Sequence, residues 1–304
     1  MTLLLLGPNG QVGQALREVL AGQELVALDR AGQGGLRGDL EDPDALVEAV
    51  RTLRPRVIVN AAAYTDVDGA ERERERAFAV NARAPAVLAE AARAVGARLI
   101  HYSTDYVFDG TGERPWREDD PTGPINAYGE SKLAGEQAVR ETLDDHLILR
   151  VSWVYHERGK NFVRTVLRLA QERDHLRIVA DQIGAPTPAR LIARVTARLI
   201  DRPEARGTYH LAPQGETSWH GIAHVVAETA RRQGAKLRLD PEAIEAIPSE
   251  DYPTPAARPR NSRLDTRRLQ ALLGEPLPPW RPAVEDTVIR LLAEEKRAKE
   301  TTQA

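Results

Sequence analysis

Short apolar runs alternate with helical periodicities along the first half of this sequence, and this alternation restricts the fold more than any other feature. Runs typical of buried strands stand at residues 2–6, 25–28, 57–59, 99–102 and 147–151. Apolar residues recur at helical spacing between them. Asp42-Pro43 is typical of a helix start, with an N-cap followed by proline at the first helical position. The pattern predicts a doubly wound α/β fold, in which right-handed βαβ units build a parallel sheet covered on both faces.

The overall charge offers no basis for binding nucleic acid or an anionic membrane. The 304 residues include 42 basic and 45 acidic side chains, for a net charge of −3. No apolar run approaches the roughly 20 residues that cross a bilayer, and the start does not resemble a signal peptide. With no cysteine, disulfides, thiolate zinc sites and cysteine nucleophiles are excluded. We expect a cytoplasmic protein with no nucleic-acid and no membrane partner.

A glycine cluster directly follows the first predicted strand and precedes the first predicted helix. Gly7, Gly10 and Gly13 are spaced G-x-x-G-x-x-G, which lets the backbone turn tightly and approach a pyrophosphate at the helix N-terminus. A purely structural turn is the alternative. Asp29, at the end of the second strand, stands where an acid would hold the adenosine ribose, whereas Arg30 would pair with a 2′-phosphate. The pattern predicts a Rossmann-type dinucleotide site and leaves NAD and NADP both open.

Two further residues are candidates for the adenine side of this site. Asp39 and Leu40 follow a later loop, and an ordinary turn is the alternative for them. For Asp29 and Arg30 the alternative is a surface charge at a strand end.

The composition of the chain changes after about residue 151, where proline and glycine become frequent. Helical patterns persist at residues 162–169, 191–200, 222–230 and 284–292. We expect a smaller α/β lobe, partly woven back into the first, with loops suited to holding a substrate. The predicted dinucleotide-binding domain is 1–150 plus a returning segment at about 188–212. Residues 151–187 and 213–304 form the predicted substrate-binding lobe.

Tyr128 and Lys132 stand four residues apart within a predicted helix, so both side chains can face one cleft. A tyrosine pKa near 10 makes the phenol a poor proton shuttle at neutral pH, and a neighbouring ammonium would lower that pKa. The pattern predicts a tyrosine proton donor tuned by a lysine. A partly buried tyrosine beside a surface lysine is the alternative.

A hydroxyl pair ends the fourth predicted strand. Ligands bind at the carboxyl ends of parallel strands, so Thr104 could hydrogen bond to a substrate carbonyl and to Tyr128 together. Ser103 competes for this role, because alternation along a strand points only one of the two into the cleft. Capping of a turn is the remaining alternative.

These motifs together resemble the extended short-chain dehydrogenase/reductase superfamily, and within it the dTDP-4-dehydrorhamnose reductase family. The blocks that carry the closer resemblance lie at residues 60–65, 103–110, 128–136, 152–155, 181–187 and 252–262, and so span nearly the whole chain. The resemblance implies hydride transfer from NADPH or NADH to the C4 ketone of dTDP-4-dehydro-β-L-rhamnose. This reaction forms dTDP-β-L-rhamnose and is the last step of dTDP-rhamnose biosynthesis.

The resemblance also implies a role for each matching residue. Tyr128 would donate the proton, Lys132 would bind the nicotinamide ribose and tune the phenol, and Thr104 would hydrogen bond to the reacting oxygen. The implied cofactor residues, besides Tyr128 and Lys132, are Gly7, Gly10, Gln11, Val12, Asp29, Arg30, Asp39, Leu40, Ala62, Ala63, Tyr64 and Thr65. The implied substrate residues are Thr104, Asp105, Trp153 and Arg258. For Arg258, a surface ion pair is the alternative.

The chain departs from the family in one respect. Some members are described as magnesium-linked dimers that use carboxylates, but this chain carries Ala15 in its first helix and Arg190 at the start of a later one. We therefore expect no metal, and a homodimer is left open. Two other functions remain: a sugar-nucleotide epimerase or dehydratase of the same fold, and a non-catalytic NADP-binding regulatory subunit of methionine adenosyltransferase.

Overall fold

The computed structural model of the protein describes residues 2–303. Its strands are β1 (Leu3–Leu6), β2 (Leu25–Leu28), β3 (Val57–Asn60), β4 (Arg98–Thr104), β5 (His146–Val151), β6 (Val154–Tyr155), β7 (Leu176–Val179), β8 (Ile183–Gly184), β9 (Thr187–Pro188), β10 (Gly207–Leu211), β11 (Thr217–Ser218) and β12 (Ile244–Ile247). Its α-helices are α1 (Gln11–Val19), α2 (Pro43–Leu53), α3 (Val67–Arg72), α4 (Arg74–Phe78), α5 (Ala84–Val95), α6 (Ala127–Thr142), α7 (Phe162–Glu172), α8 (Ala189–Leu199), α9 (Trp219–Arg232), α10 (Arg267–Leu273) and α11 (Trp280–Gln303).

Six strands form one parallel sheet in the order β10-β5-β4-β3-β1-β2. Side chains alternate between its two faces, so Leu3 and Leu5 pack in the cluster that includes α1 and α8, whereas Leu4 and Leu6 pack in the cluster that includes α2 and α5. Both faces are covered, which is why an inner strand such as β1 can be apolar throughout. The predicted doubly wound α/β fold is confirmed, including the N-cap of α2, where Asp42 accepts a hydrogen bond from the Ala45 N–H.

The chain returns to this sheet after leaving it. Helix α8 packs against α1, and β10 pairs with β5 at one edge of the sheet. Both elements lie within residues 188–212, the segment that the sequence predicts to return to the dinucleotide-binding domain. Helices α7, α9 and α11 surround a separate apolar cluster beside the two-stranded β7–β12 sheet. Among residues 2–303, no helix has both the length and the apolar character that crossing a membrane requires.

The sheet face beneath α6 carries a buried polar band near the carboxyl ends of the strands. Asn60 and His101 are direct partners across β3 and β4. Ser103 pairs with Arg150 across β4 and β5, and Arg150 pairs with His210 of β10. All five side chains are buried. Because buried polar groups need partners, this band fixes where α6 and its own polar side chains can sit.

Candidate active site

A cleft of about 1120 Å³ opens at the carboxyl ends of the parallel strands. Strand order reverses between β1 and β3, and ligands of doubly wound sheets bind at such a switch point. Of the residues predicted to bind cofactor or substrate, all but Arg258 line this cleft. The structure thus brings together the glycine loop, the Tyr128–Lys132 pair and the hydroxyl at the end of β4.

The glycine loop has the shape of a phosphate cradle. Gly7 has a φ of +75°, and a Cβ there would lie 2.7 Å from the Ala62 nitrogen, so only glycine fits. Gly10 is different, because the nearest atom to a Cβ at that position, the Gly7 oxygen, is 3.5 Å away. Gly10 is also the N-cap of α1 and offers that helix no side-chain cap. The loop therefore leaves open space in front of a helix N-terminus, which fits a pyrophosphate.

Asp29 and Arg30, which directly follow β2, have different surroundings. Asp29 accepts hydrogen bonds from the N–H groups of Ala31 and Gly32, at 2.9 and 3.0 Å, and from the Asn9 amide at 2.6 Å. The hydrogen bond from Gly32 leads the contributions that lower the pKa of Asp29. Arg30 is exposed at the cleft and, within residues 2–303, forms no ion pair. The carboxylate is therefore engaged locally, whereas the guanidinium is free.

The strip after β3 is held by a side chain that the sequence did not single out. Asn81 accepts a hydrogen bond from the Tyr64 N–H at 2.9 Å and donates to the Tyr64 carbonyl at 3.0 Å. Its amide also lies 3.0 Å from the Ser131 hydroxyl of α6. Asn81 belongs to a π-helical turn, Ala79–Arg83, and such turns are frequent at functional sites. Asn81 thereby connects residues 62–65, which line the cleft, to α6.

Tyr128 lies in the first turn of α6, where two local features fix its position. Asn126 caps the helix by accepting a hydrogen bond from the Gly129 N–H. A Cβ at residue 129 would lie 2.2 Å from the Tyr106 oxygen, so the helix can start this close to the turn after β4 only with glycine there. The Tyr128 ring meets the Tyr106 ring edge to face, with centroids 5.6 Å apart. Its hydroxyl group therefore belongs to a packed aromatic pair that faces the cleft.

The pKa of Tyr128 is raised by burial and by the nearby Asp105 charge, and the Thr104 hydroxyl only partly opposes this. Tyr128 consequently stays protonated across the neutral range, as a proton donor must. Lys132 is not among the groups that shift this pKa in the observed arrangement. The expectation that its ammonium lowers the pKa of Tyr128 stays a prediction.

Lys132 is buried, so it is not the surface lysine of the alternative interpretation. Its Nζ donates to the Tyr102 carbonyl at 2.7 Å and lies 3.4 Å from Nε2 of His101. Burial lowers the pKa of Lys132 to about 8, although the Glu136 carboxylate opposes the shift. His101 is a site residue that sequence patterns did not reveal, because nothing in the sequence places it below α6.

Thr104 and Asp105 connect β4 to a 3₁₀ turn, Asp105–Val107. The Thr104 hydroxyl accepts a hydrogen bond from the Tyr106 N–H at 3.2 Å and donates to Asp105 Oδ1 at 3.1 Å. Thr104 is therefore both a turn cap and a cleft residue, and Ser103 lines the cleft as well. Burial raises the pKa of Asp105 to about 6, while the nearby Ser262 and Thr104 hydroxyls oppose the shift.

Trp153 has a left-handed backbone conformation, with a φ of +50°, which is unusual for a residue other than glycine. Its indole stacks on that of Trp219, with ring centroids 4.0 Å apart. Trp219 Nε1 donates to Gln182 Oε1 at 3.0 Å, and both indoles line the cleft. Trp219 was missed in the sequence, where it begins an amphipathic helix and carries no motif.

Arg258 lies apart from the cleft lining. Its guanidinium forms an ion pair with Asp68 at 2.9 Å and donates to the Ala256 carbonyl at 3.0 Å. Asp68 in turn accepts a hydrogen bond from the Ala256 N–H at 3.1 Å. The observed contacts therefore match the ion-pair alternative stated for this residue.

Metal-ligating side chains do not cluster in the part of the chain that the structure describes. Residues 2–303 contain no group of three or more histidine, aspartate or glutamate side chains placed to hold an ion. Ala15 is buried in α1. Arg190 forms ion pairs with Glu157 at 2.8 Å and with Glu18 at 3.3 Å. Glu157 also lies 3.9 Å from Arg290, so both carboxylates have guanidinium partners.

Comparison with known proteins gives the same relatives by family model and by sequence. Residues 1–293 match the family model described as the RmlD substrate binding domain. The dTDP-4-dehydrorhamnose reductase of Shigella flexneri is 49% identical over 289 residues, which cover 93% of this chain and 96% of that protein. The enzyme of the same name from Burkholderia thailandensis is 47% identical, with 97% and 100% covered.

Solved structures agree with the sequence relatives. The dTDP-4-dehydrorhamnose reductase of Bacillus anthracis, in complex with NADP, has a TM-score of 0.84 and 34% identity, covering 96% of this chain and 99% of that one. The Clostridium acetobutylicum structure has a TM-score of 0.87 and 33% identity, covering 96% and 100%. Thermus thermophilus UDP-glucose 4-epimerase, at 22% identity and a TM-score of 0.78, shares the fold, covering 96% of this chain and 99% of that one. On its sequence and its fold, this chain belongs to the dTDP-4-dehydrorhamnose reductase family.

Proposed function

We propose that this protein reduces the C4 ketone of dTDP-4-dehydro-β-L-rhamnose to dTDP-β-L-rhamnose with NADPH, the last step of dTDP-rhamnose biosynthesis. The observation that carries the proposal is that Thr104, Tyr128 and Lys132 line the same cleft as an open glycine loop. One cleft thus holds a proton donor, a hydroxyl for the reacting oxygen, and a cradle for a dinucleotide.

The residues of the cleft divide the chemistry between them. Bound reduced nicotinamide supplies the hydride for the C4 carbon. Tyr128 gives its hydroxyl proton to the C4 oxygen as negative charge develops there, and Thr104 hydrogen bonds to that oxygen. Lys132, on the same helix face, binds the nicotinamide ribose. Asp105 and Trp153 bind the deoxysugar, with the indole packing on its apolar face.

Further residues hold the cofactor away from the reacting atoms. Gly7, Gly10, Gln11 and Val12 bind the pyrophosphate, while residues 62–65 line the far side of the cofactor. Asp29, Asp39 and Leu40 surround the adenosine, and Arg30 pairs with the 2′-phosphate of NADPH. The choice of NADPH over NADH is supported by the free guanidinium of Arg30 beside a carboxylate already engaged by Ala31 and Gly32.

Several coarser assignments accompany this proposal. Residues 1–150 with about 188–212 bind the dinucleotide, and residues 151–187 with 213–304 form the sugar-nucleotide lobe. The position of Arg258, paired with Asp68, gives it a role in holding residues 256–258 against α3 rather than in contacting the diphosphate. The protein acts in the cytoplasm, without nucleic-acid or membrane partners and without a metal. A homodimer remains open.

The decisive experiment is an assay of the purified protein with dTDP-4-dehydro-L-rhamnose and each reduced cofactor in turn. We expect stoichiometric oxidation of NADPH and formation of dTDP-L-rhamnose, identified by NMR. An epimerase or dehydratase retains NAD and returns its hydride, so product formation without net oxidation would contradict the proposal. Co-purification with a methionine adenosyltransferase, together with no turnover, would instead favour a regulatory subunit.

A further inference from the structure

A buried series of hydrogen-bonding groups connects Ala62, in the segment after β3 that lines the cleft, to Lys132 of α6. The Ala62 N–H donates to Asn60 Oδ1 at 3.2 Å, and Asn60 Nδ2 lies 3.2 Å from His101 Nδ1. His101 Nε2 then lies 3.4 Å from Lys132 Nζ. Asn60, His101 and Lys132 are each at most 2% exposed, so a mismatched hydrogen bond among them is costly.

The order of donors and acceptors along this series is fixed at its Ala62 end. A backbone N–H can only donate, so Asn60 must turn its oxygen to Ala62 and its NH₂ to His101. His101 Nδ1 must then accept, and in a neutral imidazole the hydrogen is on the other nitrogen, Nε2. That N–H faces Lys132 Nζ. An ammonium there has only donors to offer, whereas an uncharged amine has a lone pair that accepts.

We propose that His101 is a positioning residue that holds its ring hydrogen on Nε2, facing Lys132, and thereby favours the uncharged amine of Lys132 over the ammonium. The inference rests on the proposed reductase function, because it describes what sets the protonation state of Lys132 in that active site. The reverse tautomer would require Asn60 to turn its NH₂ towards the Ala62 N–H, which places two donors face to face.

The other groups around Lys132 act in both directions. Glu136, one turn further along α6, favours the ammonium, but its carboxylate is shared with Arg150 and Arg140. The Tyr102 carbonyl accepts from Nζ in either charge state. Tyr128, on the preceding turn, is neutral because its pKa is raised. Burial, followed by the Lys132 charge, holds the pKa of His101 well below its usual value, so the imidazole does not become a second cation.

This arrangement has a consequence for turnover. In each cycle one proton leaves the Tyr128 hydroxyl for the substrate oxygen, and one proton from water must replace it. A lysine held firmly as an ammonium would release its proton slowly near neutral pH. By destabilising that ammonium, His101 lets Lys132 release a proton towards the phenolate and then take one up again from water.

The tautomer of His101 can be read directly by ring ¹⁵N NMR of the full chain labelled at its seven histidines. The His101 signals are assigned by their absence in His101→Gln. We expect a neutral ring protonated at Nε2, with no conversion to imidazolium across the neutral range. A ring protonated at Nδ1, or an imidazolium, would overturn the proposal. The wild-type spectrum decides this without substrate, so a protein with the expected tautomer and no reductase activity would contradict the proposed function alone.

Asn60→Asp reverses the polarity of this series with almost no change in shape. Its carboxylate accepts from both Ala62 and His101, so the ring hydrogen should move to Nδ1, and Nε2 should accept from the Lys132 ammonium. We expect the limb of the kcat–pH profile that reports Lys132 to move up by about one pH unit or more. The matched control is Asn81→Asp, which adds a buried carboxylate that does not contact His101 and should leave the tautomer unchanged. An Asn60→Asp protein that keeps Nε2–H would refute the inference.

Discussion

The Glu136 carboxylate accepts two hydrogen bonds from the Arg150 guanidinium, at 2.8 Å from Nε and 2.7 Å from Nη2, and both side chains are buried. Arg140 donates to the same carboxylate at 2.9 Å. Removing one partner of a buried pair leaves an uncompensated charge, which costs about 3–5 kcal/mol. We therefore expect Glu136→Ala to lower the free energy of unfolding by about that amount, measured by urea denaturation. The double variant Glu136→Leu/Arg150→Met leaves no unpaired charge between the two sites and should lose much less.

The same pair gives stability a defined dependence on pH. Burial alone would raise the pKa of Glu136, but the hydrogen bonds and charge of Arg150 outweigh it, so the pKa is lowered in the folded protein. A carboxyl with a lowered folded pKa stabilises the fold above its unfolded pKa, near 4.3. That contribution is lost as the pH falls through the folded value. Wild type and Glu136→Gln should therefore converge in stability on acidification, and a constant difference would contradict this account.

Replacing Tyr128 with phenylalanine tests the proton donor. The ring and its edge-to-face contact with Tyr106 remain, while the transferable proton is lost. We expect kcat to fall by roughly 100- to 10,000-fold, since that is the usual contribution of a positioned acid. The dissociation constant for NADPH, measured by fluorescence titration, should change little. Near-native turnover in Tyr128→Phe would show that another group protonates the substrate.

Asp105→Asn should make the protein more stable at neutral pH and less active. The Asp105 carboxyl is buried, and Oδ2 has no hydrogen-bond partner among residues 2–303. Its folded pKa of about 6 lies above the unfolded value, so ionisation costs the fold up to about 3 kcal/mol. This cost is absent below about pH 4 and complete above the folded pKa.

Urea denaturation at pH 8 and at pH 4 measures the cost of ionising Asp105 directly. The stabilising effect of Asp105→Asn should be present at pH 8 and nearly absent at pH 4. Its KM for the sugar nucleotide should rise, since an amide replaces a carboxylate at the substrate. A variant that is equally stabilised at both pH values would show that the carboxyl is not the source.

Chelation should leave the reductase intact. The carboxylates of Glu18 and Glu157 already pair with guanidinium groups, those of Arg190 and, for Glu157, also Arg290, and the proposed proton transfer uses a phenol rather than a metal-bound group. We expect unchanged kcat and unchanged mass by light scattering after dialysis against EDTA. Activity that is lost on chelation and restored by magnesium would overturn the expectation of no metal.

The fold was largely predictable because the four inner strands of the sheet are buried on both sides. Four consecutive leucines in β1 and the similar runs in β2–β5 stand out from sequence alone. The glycine loop and the Tyr128–Lys132 pair are local signals, set by turn geometry and by the helical period. Their meeting in one cleft follows from topology, because the carboxyl ends of parallel strands share an edge.

The protonation states and side-chain partners of the site residues were not predictable from the spacing of residues in the sequence. A four-residue interval places Lys132 on the same helix face as Tyr128 but does not give the direction of Nζ. That direction depends on the Tyr102 carbonyl and on His101, both in β4. Nor does spacing reveal that Arg258 pairs with Asp68, a partner 190 positions earlier in the chain. Such contacts between distant segments carry no periodic signal.

Trp219 is the clearest residue that only the structure reveals, and it leads to a direct test. Its indole supports Trp153, whose left-handed backbone costs about 1–3 kcal/mol and persists only because its surroundings hold it. An aromatic pair contributes about 0.5–1.5 kcal/mol beyond its buried area, so Trp219→Ala should raise the KM for the sugar nucleotide by about 2- to 10-fold.

The matched control is Trp219→Phe, which retains an aromatic face against Trp153 and should keep most of the native KM. Because the glycine loop lies between β1 and α1, away from the two indoles, the dissociation constant for NADPH should be the same in all three proteins. Steady-state kinetics with varied sugar nucleotide, and cofactor titration by fluorescence, separate the two effects. If Trp219→Ala weakened NADPH binding and left the KM for the sugar unchanged, the stacked indoles would have to be assigned to the cofactor side of the cleft.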